Sequence, residues 1–270
     1  MAVAEPGPAD PRDSASVVLI RQGADGVEAF LIRRVPQMAF APGFTVFPGG
    51  SVDPDDWACL QESAGAPPCP DRWQARFQDA PERVAALGRA AVRELFEECG
   101  VLLAHDASAL DGGRALAARG RIAAKELTFG GFLDQEGLSA DTGLLRPLAH
   151  WITPAEEPRR FDTRFFLAVL PDGQAADGHT TESAQSVWRR PLEALDPASA
   201  QPCLLLPPTW SLLRWLASHE TVAGVIAELD SCEEPIPAVM PVRDTAGGGR
   251  KWSFPGADEY LEWTAALGAR

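Results

Sequence analysis

Positive charge is what this chain has least of. Its 24 lysines and arginines face 38 aspartates and glutamates, for a formal net charge of -14. Broad binding to nucleic acid or to an anionic membrane demands a cationic surface, so neither is expected here. A small anionic substrate is still allowed, because a metal ion and a few arginines can meet its charge locally. Lysine itself is almost missing, since every basic residue except Lys125 and Lys251 is arginine. That bias suits paired contacts to phosphate, and equally reflects genomic base composition.

Other absences narrow the field. No segment approaches the roughly 20 apolar residues that span a bilayer. The N-terminus lacks a basic stretch followed by an apolar run, and Glu5, Asp10 and Asp13 weigh against a transit peptide. Gly268-Ala269-Arg270 is not a peroxisomal signal of the Ser-Lys-Leu kind, so a cytoplasmic location is expected. The five cysteines, Cys59, Cys69, Cys99, Cys203 and Cys232, are odd in number and form no close pair, which argues against a zinc site or a disulfide framework. Cys99 falls on an apolar stripe and reads as a small buried hydrophobe. His150 and His179 stand isolated, with nothing to pair them to a nucleophile. No internal repeat is present.

What the chain does have is a crowd of acids on two helical turns: Arg93-Glu94-Leu95-Phe96-Glu97-Glu98-Cys99-Gly100-Val101. Residues three and four apart are helical neighbours, so Glu94 faces Glu97 and Glu98 while Arg93 can reach Glu97. A Glu-Glu pair alone usually marks a solvated face. Three carboxylates near a helix C-terminus oppose the dipole, however, and argue for a task rather than for stability. A divalent cation would turn their repulsion into hard oxygen ligation, and magnesium or manganese is the natural guest. The helix is expected to start at Asp79 as N-cap, with Pro81 in its first turn and Glu82 three residues on. Val84, Leu87, Ala91, Leu95 and Cys99 form its buried stripe, and Gly100 ends it in a left-handed conformation.

This string resembles the second half of the motif that defines Nudix hydrolases: Gly, five residues, Glu, seven residues, then Arg-Glu-apolar-any-Glu-Glu-any-Gly-apolar. Phe47-Pro48-Gly49-Gly50 looks like its glycine-bearing start, and Asp53 and Asp56 fall where acids often follow. Two departures stand out. Asp56 replaces the preferred Glu, and the separation of Gly50 from Arg93 implies an insertion of about 29 residues. An interrupted motif of this kind is similar to the insertion-bearing subgroup of nucleoside diphosphate-linked moiety X motif 19, a coenzyme A diphosphatase. Arg33-Arg34, Met38 to Val46, Trp151 to Pro154, Arg159 to Phe166, and Glu182 with Trp188 and Pro191 extend the likeness over roughly residues 14 to 200.

The resemblance implies an α+β fold, the Nudix-type α/β/α sandwich with a mixed β-sheet, an insertion inside the Nudix box and a C-terminal extension. Residues 1–13 read as a disordered N-terminus, 14–200 as the Nudix domain with the insertion at about 54–78, and 201–270 as an extension packed on the same domain. Ser16 to Ile20 and Ala29 to Arg33 look like a hairpin around Gly23-Ala24-Asp25-Gly26, with Thr45 to Phe47 as a third strand. Helical character is expected over Gly113–Leu127, from Leu192 and over Thr209–Ala217, and Thr128–Gly137 is left as helix or loop. Leu148–Ile152 and Phe161–Leu170 are strand-like. The tail after Pro235 suggests a hairpin and a helix from Asp258 to Leu267.

The chemistry implied is hydrolysis of a diphosphate linkage in a nucleoside diphosphate derivative, with coenzyme A or an acyl-CoA favoured and Mg2+ or Mn2+ as cofactor. Glu94, Glu97 and Glu98, with Gly50, are the candidate metal ligands; Glu94 is alternatively the base, Glu182 is the off-box candidate for it, and Arg93 orients a carboxylate. Arg33, Arg34 and Arg160 are candidate phosphate contacts, and Phe44 or Phe161 could stack on a base or simply pack in the core. A glycine turn at Gly49-Gly50 would let backbone approach a phosphate. Nucleotide sugars, ADP-ribose and dinucleoside polyphosphates are rival substrates, and a non-catalytic nucleotide-binding module is the rival class. The only partner implied is the small-molecule diphosphate; a homodimer is left open by the family's habits.

Overall fold

The computed structural model describes residues 9–38, 40–58, 71–105, 110–178, 183–244 and 251–268. Strands β1 (Arg12–Gly23) and β2 (Gly26–Arg34) form the hairpin expected from the glycine turn, in register from Ile20↔Ala29 to Gly23↔Gly26. β1 begins two residues before the expected onset of order. Asp13 is held there by Arg83, which ties this end of the strand down.

The sheet is mixed, as a sandwich of helices around it requires. β3 (Thr45–Val46) runs antiparallel to β2, and β4 (Gly49–Ser51) runs antiparallel to the first half of β1. Gly49-Gly50 is therefore a strand, not the expected turn. The glycines are needed for close approach: a Cβ on Gly49 would stand 2.5 Å from the Ala15 carbonyl oxygen, and one on Gly50 would collide with the Glu94 carboxylate.

Between β4 and the long acidic helix lie α1 (Pro54–Ala58) and α2 (Asp71–Phe77), the described parts of the insertion. Trp73 is fully buried and Phe77 nearly so, both against Phe166. Trp57 stays exposed. Gly88 makes room for Trp73, since a Cβ there would lie 2.7 Å from the indole. A mid-helix glycine costs about 1 kcal/mol relative to alanine, which burial of an indole readily offsets.

α3 (Pro81–Cys99) carries the acids. Val84, Leu87, Ala91, Leu95 and Cys99 are all 0% exposed, and Gly100 closes the helix at φ 71° with its amide donating to the Phe96 carbonyl. The expected N-cap is corrected. Ala80 occupies that position with no side-chain cap, because Asp79 is taken by ion pairs with Arg83 and Arg164.

Beyond α3, β5 (Ala104–His105) pairs with β6 (Ser139–Ala140), and α4 (Gly112–Ala123) and α5 (Phe129–Glu136) lie between them in sequence. Thr128 caps α5, which resolves that segment as helix. β7 (Arg146–Ile152) is antiparallel to β8 (Phe161–Val169), and β8 is parallel to β1 from Arg12↔Phe161 to Ile20↔Val169. β9 (Ser183–Arg189) borders β2.

Alternate residues of the central strands face opposite helical layers. Ala15, Val17, Leu19, Phe30 and Ile32 join the core under α3, while Val18, Ile20, Ala29 and Leu31 join a second core under α7 (Pro207–Leu216) and its neighbours. Both faces are thus apolar, which is what a three-layer fold needs. α6 (Pro191–Leu195) precedes α7, and α8 (Val222–Ser231) follows it. α8 has no counterpart in the sequence reading. Only Val225 of it is fully buried, so its apolar stripe is thin. β10 (Ala238–Val239) adds parallel to β7, β11 (Val242–Asp244) and β12 (Lys251–Ser253) form the expected tail hairpin, and α9 (Ala257–Gly268) follows. Among the described residues no helix is long and apolar enough to cross a membrane.

His150 is not isolated. Its Nε2 lies 2.5 Å from Asp162, which also pairs with Arg83 and Arg164. Burial alone would raise the Asp162 pKa, but these hydrogen bonds outweigh it and hold the carboxyl well below the usual range. His179 lies outside the described residues. Cys99, Cys203 and Cys232 are free thiols, and burial pushes the Cys99 thiol well up, as an inert buried cysteine requires.

Candidate active site

The acidic end of α3 is built against β4. Arg93 is buried and makes its contacts in three directions: to Asp56 of α1 at 2.9 Å, to the Ser51 carbonyl at 2.8 Å, and to Glu94 and Glu97 at 2.8 and 3.1 Å. Burial alone would lower its affinity for a proton, but the hydrogen bond to Asp56 and the charges of Glu94, Asp56 and Glu97 prevail and hold it above its ordinary range. Arg93 is thus a fixed cation. The residue that anchors it is Asp56, the departure from the family pattern; its side chain also accepts from the Asp53 amide at 2.8 Å.

The three glutamates differ in surroundings. Glu98 is buried and accepts the Gly49 amide hydrogen bond at 2.9 Å, so that amide is spent on protein rather than on phosphate. Glu94 lies against Gly50. Burial pushes its pKa up to about 7, against the opposing pull of Arg93 and with the help of Glu97. Ser14 and Ser16 donate to the Gly50 and Pro48 carbonyls at 2.8 Å each, fixing the glycine strand from the β1 side.

Among the described residues, no three His, Cys, Asp or Glu side chains already converge as a metal site. Arg93 sits between Glu94 and Glu97, and Glu98 is turned to Gly49. The donor set still suits a hard divalent ion. All its side-chain groups are carboxylates, and the cradle over Gly50 exists only because that residue lacks a Cβ.

A cavity of about 1030 Å³ opens from these groups. Glu94, Glu97, Glu98, Gly49 and Gly50 line it together with Met38, Phe40, Trp151, Phe161 and Phe165, and Leu206 to Thr209 and Pro241 contribute from the later chain. Of the other candidates from sequence, Arg34 and Phe161 line this cavity, with Phe161 edge-on to Phe40 at 5.0 Å between ring centres. Arg33, Phe44 and Arg160 are not on its wall. Arg33 points to solvent from β2, and Phe44 is half-buried in the β2–β3 connection. Arg160 donates to the Ala9 and Thr153 carbonyls and reaches Met240, so it clamps backbone. Glu182 lies outside the described residues. Sequence reasoning missed the anchoring role of Asp56, for which the Arg-to-acid complementarity was the available signal, and Lys125, which also lines the cavity.

A mixed sheet between helical layers, an Arg-Glu-x-x-Glu-Glu helix end and a glycine strand facing it define a Nudix hydrolase, an enzyme class that hydrolyses diphosphate linkages. The crystal structure of a Nudix hydrolase from Alicyclobacillus acidocaldarius superposes with a TM-score of 0.65 at 30% identity, covering 81% of this chain and 96% of that one. A family model for the NUDT19 Nudix domain matches residues 12–216, and the chain belongs to that family. Two relatives bear the name acyl-coenzyme A diphosphatase NUDT19. The Homo sapiens protein is 27% identical, over 95% of this chain and 82% of its own length, and the Gallus gallus protein is 27% identical, over 93% and 80%.

Proposed function

We propose that this enzyme is a divalent-metal-dependent diphosphatase acting on coenzyme A or its acyl thioesters. The observation that carries this reading is the cavity, whose lining combines the carboxylates of Glu94, Glu97 and Glu98 with several apolar side chains. A diphosphate with a bulky, partly apolar substituent suits a lining of both kinds. The names of the human and chicken relatives support the same substrate class.

Glu94, Glu97 and Glu98, with the Gly50 carbonyl, are the groups that would hold Mg2+ or Mn2+; bound there, the ion would neutralise phosphate oxygens and lower the pKa of an attacking water. Arg93 keeps Glu94 and Glu97 in place from below, and the Gly49 amide orients Glu98. If Glu94 is not itself a ligand, it is the box residue placed to take the proton of the attacking water. One phosphorus–oxygen bond of the bridge breaks, and two phosphate esters leave. Glu182 is the alternative base.

The test is a diphosphate panel incubated with purified protein and Mg2+ or Mn2+, the products being identified by mass. Coenzyme A should be cut into its two phosphate-bearing halves faster than the rival substrates. Preferential cleavage of ADP-ribose, a nucleotide sugar or a dinucleoside polyphosphate would overturn the substrate assignment, and tight binding without any product would favour a non-catalytic module.

A further inference from the structure

Arg93 is buried and pinned by four protein partners, so it is poorly placed to meet a substrate anion. A diphosphate in the cavity shares it with Asp53, Glu94, Glu97 and Glu98, whose charge opposes its own. Beyond the divalent ion those acids would hold, Lys125 offers a cation beside Glu97.

Lys125 lines the large cavity together with Asp53, Glu97 and Arg93, and the same four residues line a smaller neighbouring cavity of about 130 Å³. Arg34 and Arg159 line only the large one, so Lys125 is the basic residue besides Arg93 that both cavities share with Glu97. Its ammonium lies 2.9 Å from the Asp53 carboxylate, and its side chain is 69% exposed. An exposed pair of this kind is worth at most about 1 kcal/mol, so the ammonium is readily released to a better anion.

The backbone gives a second, independent observation. Lys125 follows the end of α4 at φ 58°, in the left-handed region, with its amide donating to the Ile122 carbonyl and that of Glu126 to Arg121. Glycine usually takes this position after a helix, and a residue with a Cβ costs about 1 kcal/mol more. The conformation carries the lysine from the end of α4 to Asp53, whose own amide is bonded to Asp56, the anchor of Arg93. The strained residue and the catalytic cluster therefore share one chain of contacts.

We infer that Lys125 contacts the substrate: its ammonium, parked on Asp53 in the free enzyme, moves onto the diphosphate at the rim of the acidic cavity. This rests on the diphosphatase reading above. Asp53 is then a competitor for the ammonium rather than a structural partner.

The test compares Lys125→Ala, Lys125→Arg and Asp53→Asn in the full-length protein, with α,β-methylene-ADP as an uncleavable diphosphate probe in Mg2+, followed by calorimetry. Lys125→Ala should weaken binding about 10-fold, Lys125→Arg should stay within about 2-fold of wild type, and Asp53→Asn should bind as well as wild type or better. For coenzyme A, Lys125→Ala should raise KM by a similar factor at a melting temperature like that of wild type. Equal losses in Lys125→Ala and Asp53→Asn would make the bridge purely structural and overturn the inference, as would unchanged binding in Lys125→Ala or no binding of the probe by wild type. Turnover of coenzyme A by wild type is scored separately, so failure of the substrate assignment does not masquerade as failure of the lysine's role.

Discussion

Arg93 and Asp56 meet at 2.9 Å across 37 positions of sequence, and both are almost fully buried. The pair ties the insertion to the catalytic helix. Removing one member of a buried ion pair leaves the other charge uncompensated and costs several kcal/mol. Asp56→Ala should lower stability by about 3 kcal/mol, read by urea denaturation, and should slow turnover because Glu94 and Glu97 lose their fixed cation. A loss below about 1 kcal/mol would show that Glu94, Glu97 and Ser51 hold Arg93 unaided.

Glu97→Gln and Glu98→Gln should fold normally by circular dichroism while reducing metal-dependent turnover at least about 100-fold, equivalent to about 3 kcal/mol of lost transition-state stabilisation. Removal of the metal by a chelator should abolish turnover in the wild type. Either variant retaining full activity would remove the acids from the mechanism.

The metal-free protein should lose stability as pH rises from about 4.5 to about 7. Glu94 takes its ordinary value of 4.5 when unfolded and about 7 when folded, so the folded state holds the proton more tightly and is favoured below that window. Each pKa unit corresponds to about 1.4 kcal/mol, which puts the decline at up to roughly 3 kcal/mol. Asp162 acts with the opposite sign: its folded pKa is depressed, so its contribution is present above 3.8 and is lost as pH falls below. Thermal melts across this range should show the higher-pH decline vanish in Glu94→Gln and shrink when Mn2+ is added. A flat wild-type profile from pH 5 to 7 would show that Arg93 fully offsets the burial of Glu94.

Trp73→Ala should destabilise the enzyme by about 4 kcal/mol, since it empties a fully buried site beneath Gly88. Filling part of that space in a Gly88→Ala, Trp73→Ala double variant should recover some of the loss through helix propensity. Equilibrium unfolding of the single and double variants measures both steps.

The features legible in sequence were those written in local periodicity. Five apolar positions at helical spacing followed by Gly100 located α3 and its left-handed end, and the glycines around residues 23 to 26 located the first hairpin. Apart from α8, whose buried stripe is thin, the failures share a cause, capture of a residue by partners that local periodicity does not reveal. Asp79 has the chemistry of an N-cap, yet Arg83 and Arg164 claim its carboxylate. Gly49-Gly50 has the composition of a turn, yet hydrogen bonding to β1 makes it a strand. Arg160 has the chemistry of a phosphate ligand, yet two carbonyls occupy it. His150 lacked a neighbour in sequence because Asp162 comes from the adjacent strand.

The chamber wall made by Leu206 to Thr209 follows Leu205, which forms a bridge with Thr45 and accepts the buried hydroxyl of Tyr260 at 2.9 Å. The carboxylates belong to residues 94–98, so this part of the wall is held by a segment separate from the helix that carries the acids. Substitutions around Tyr260 can widen or narrow the chamber while every acid stays in place. Selectivity in this scaffold can drift under mutation without passing through an inactive intermediate.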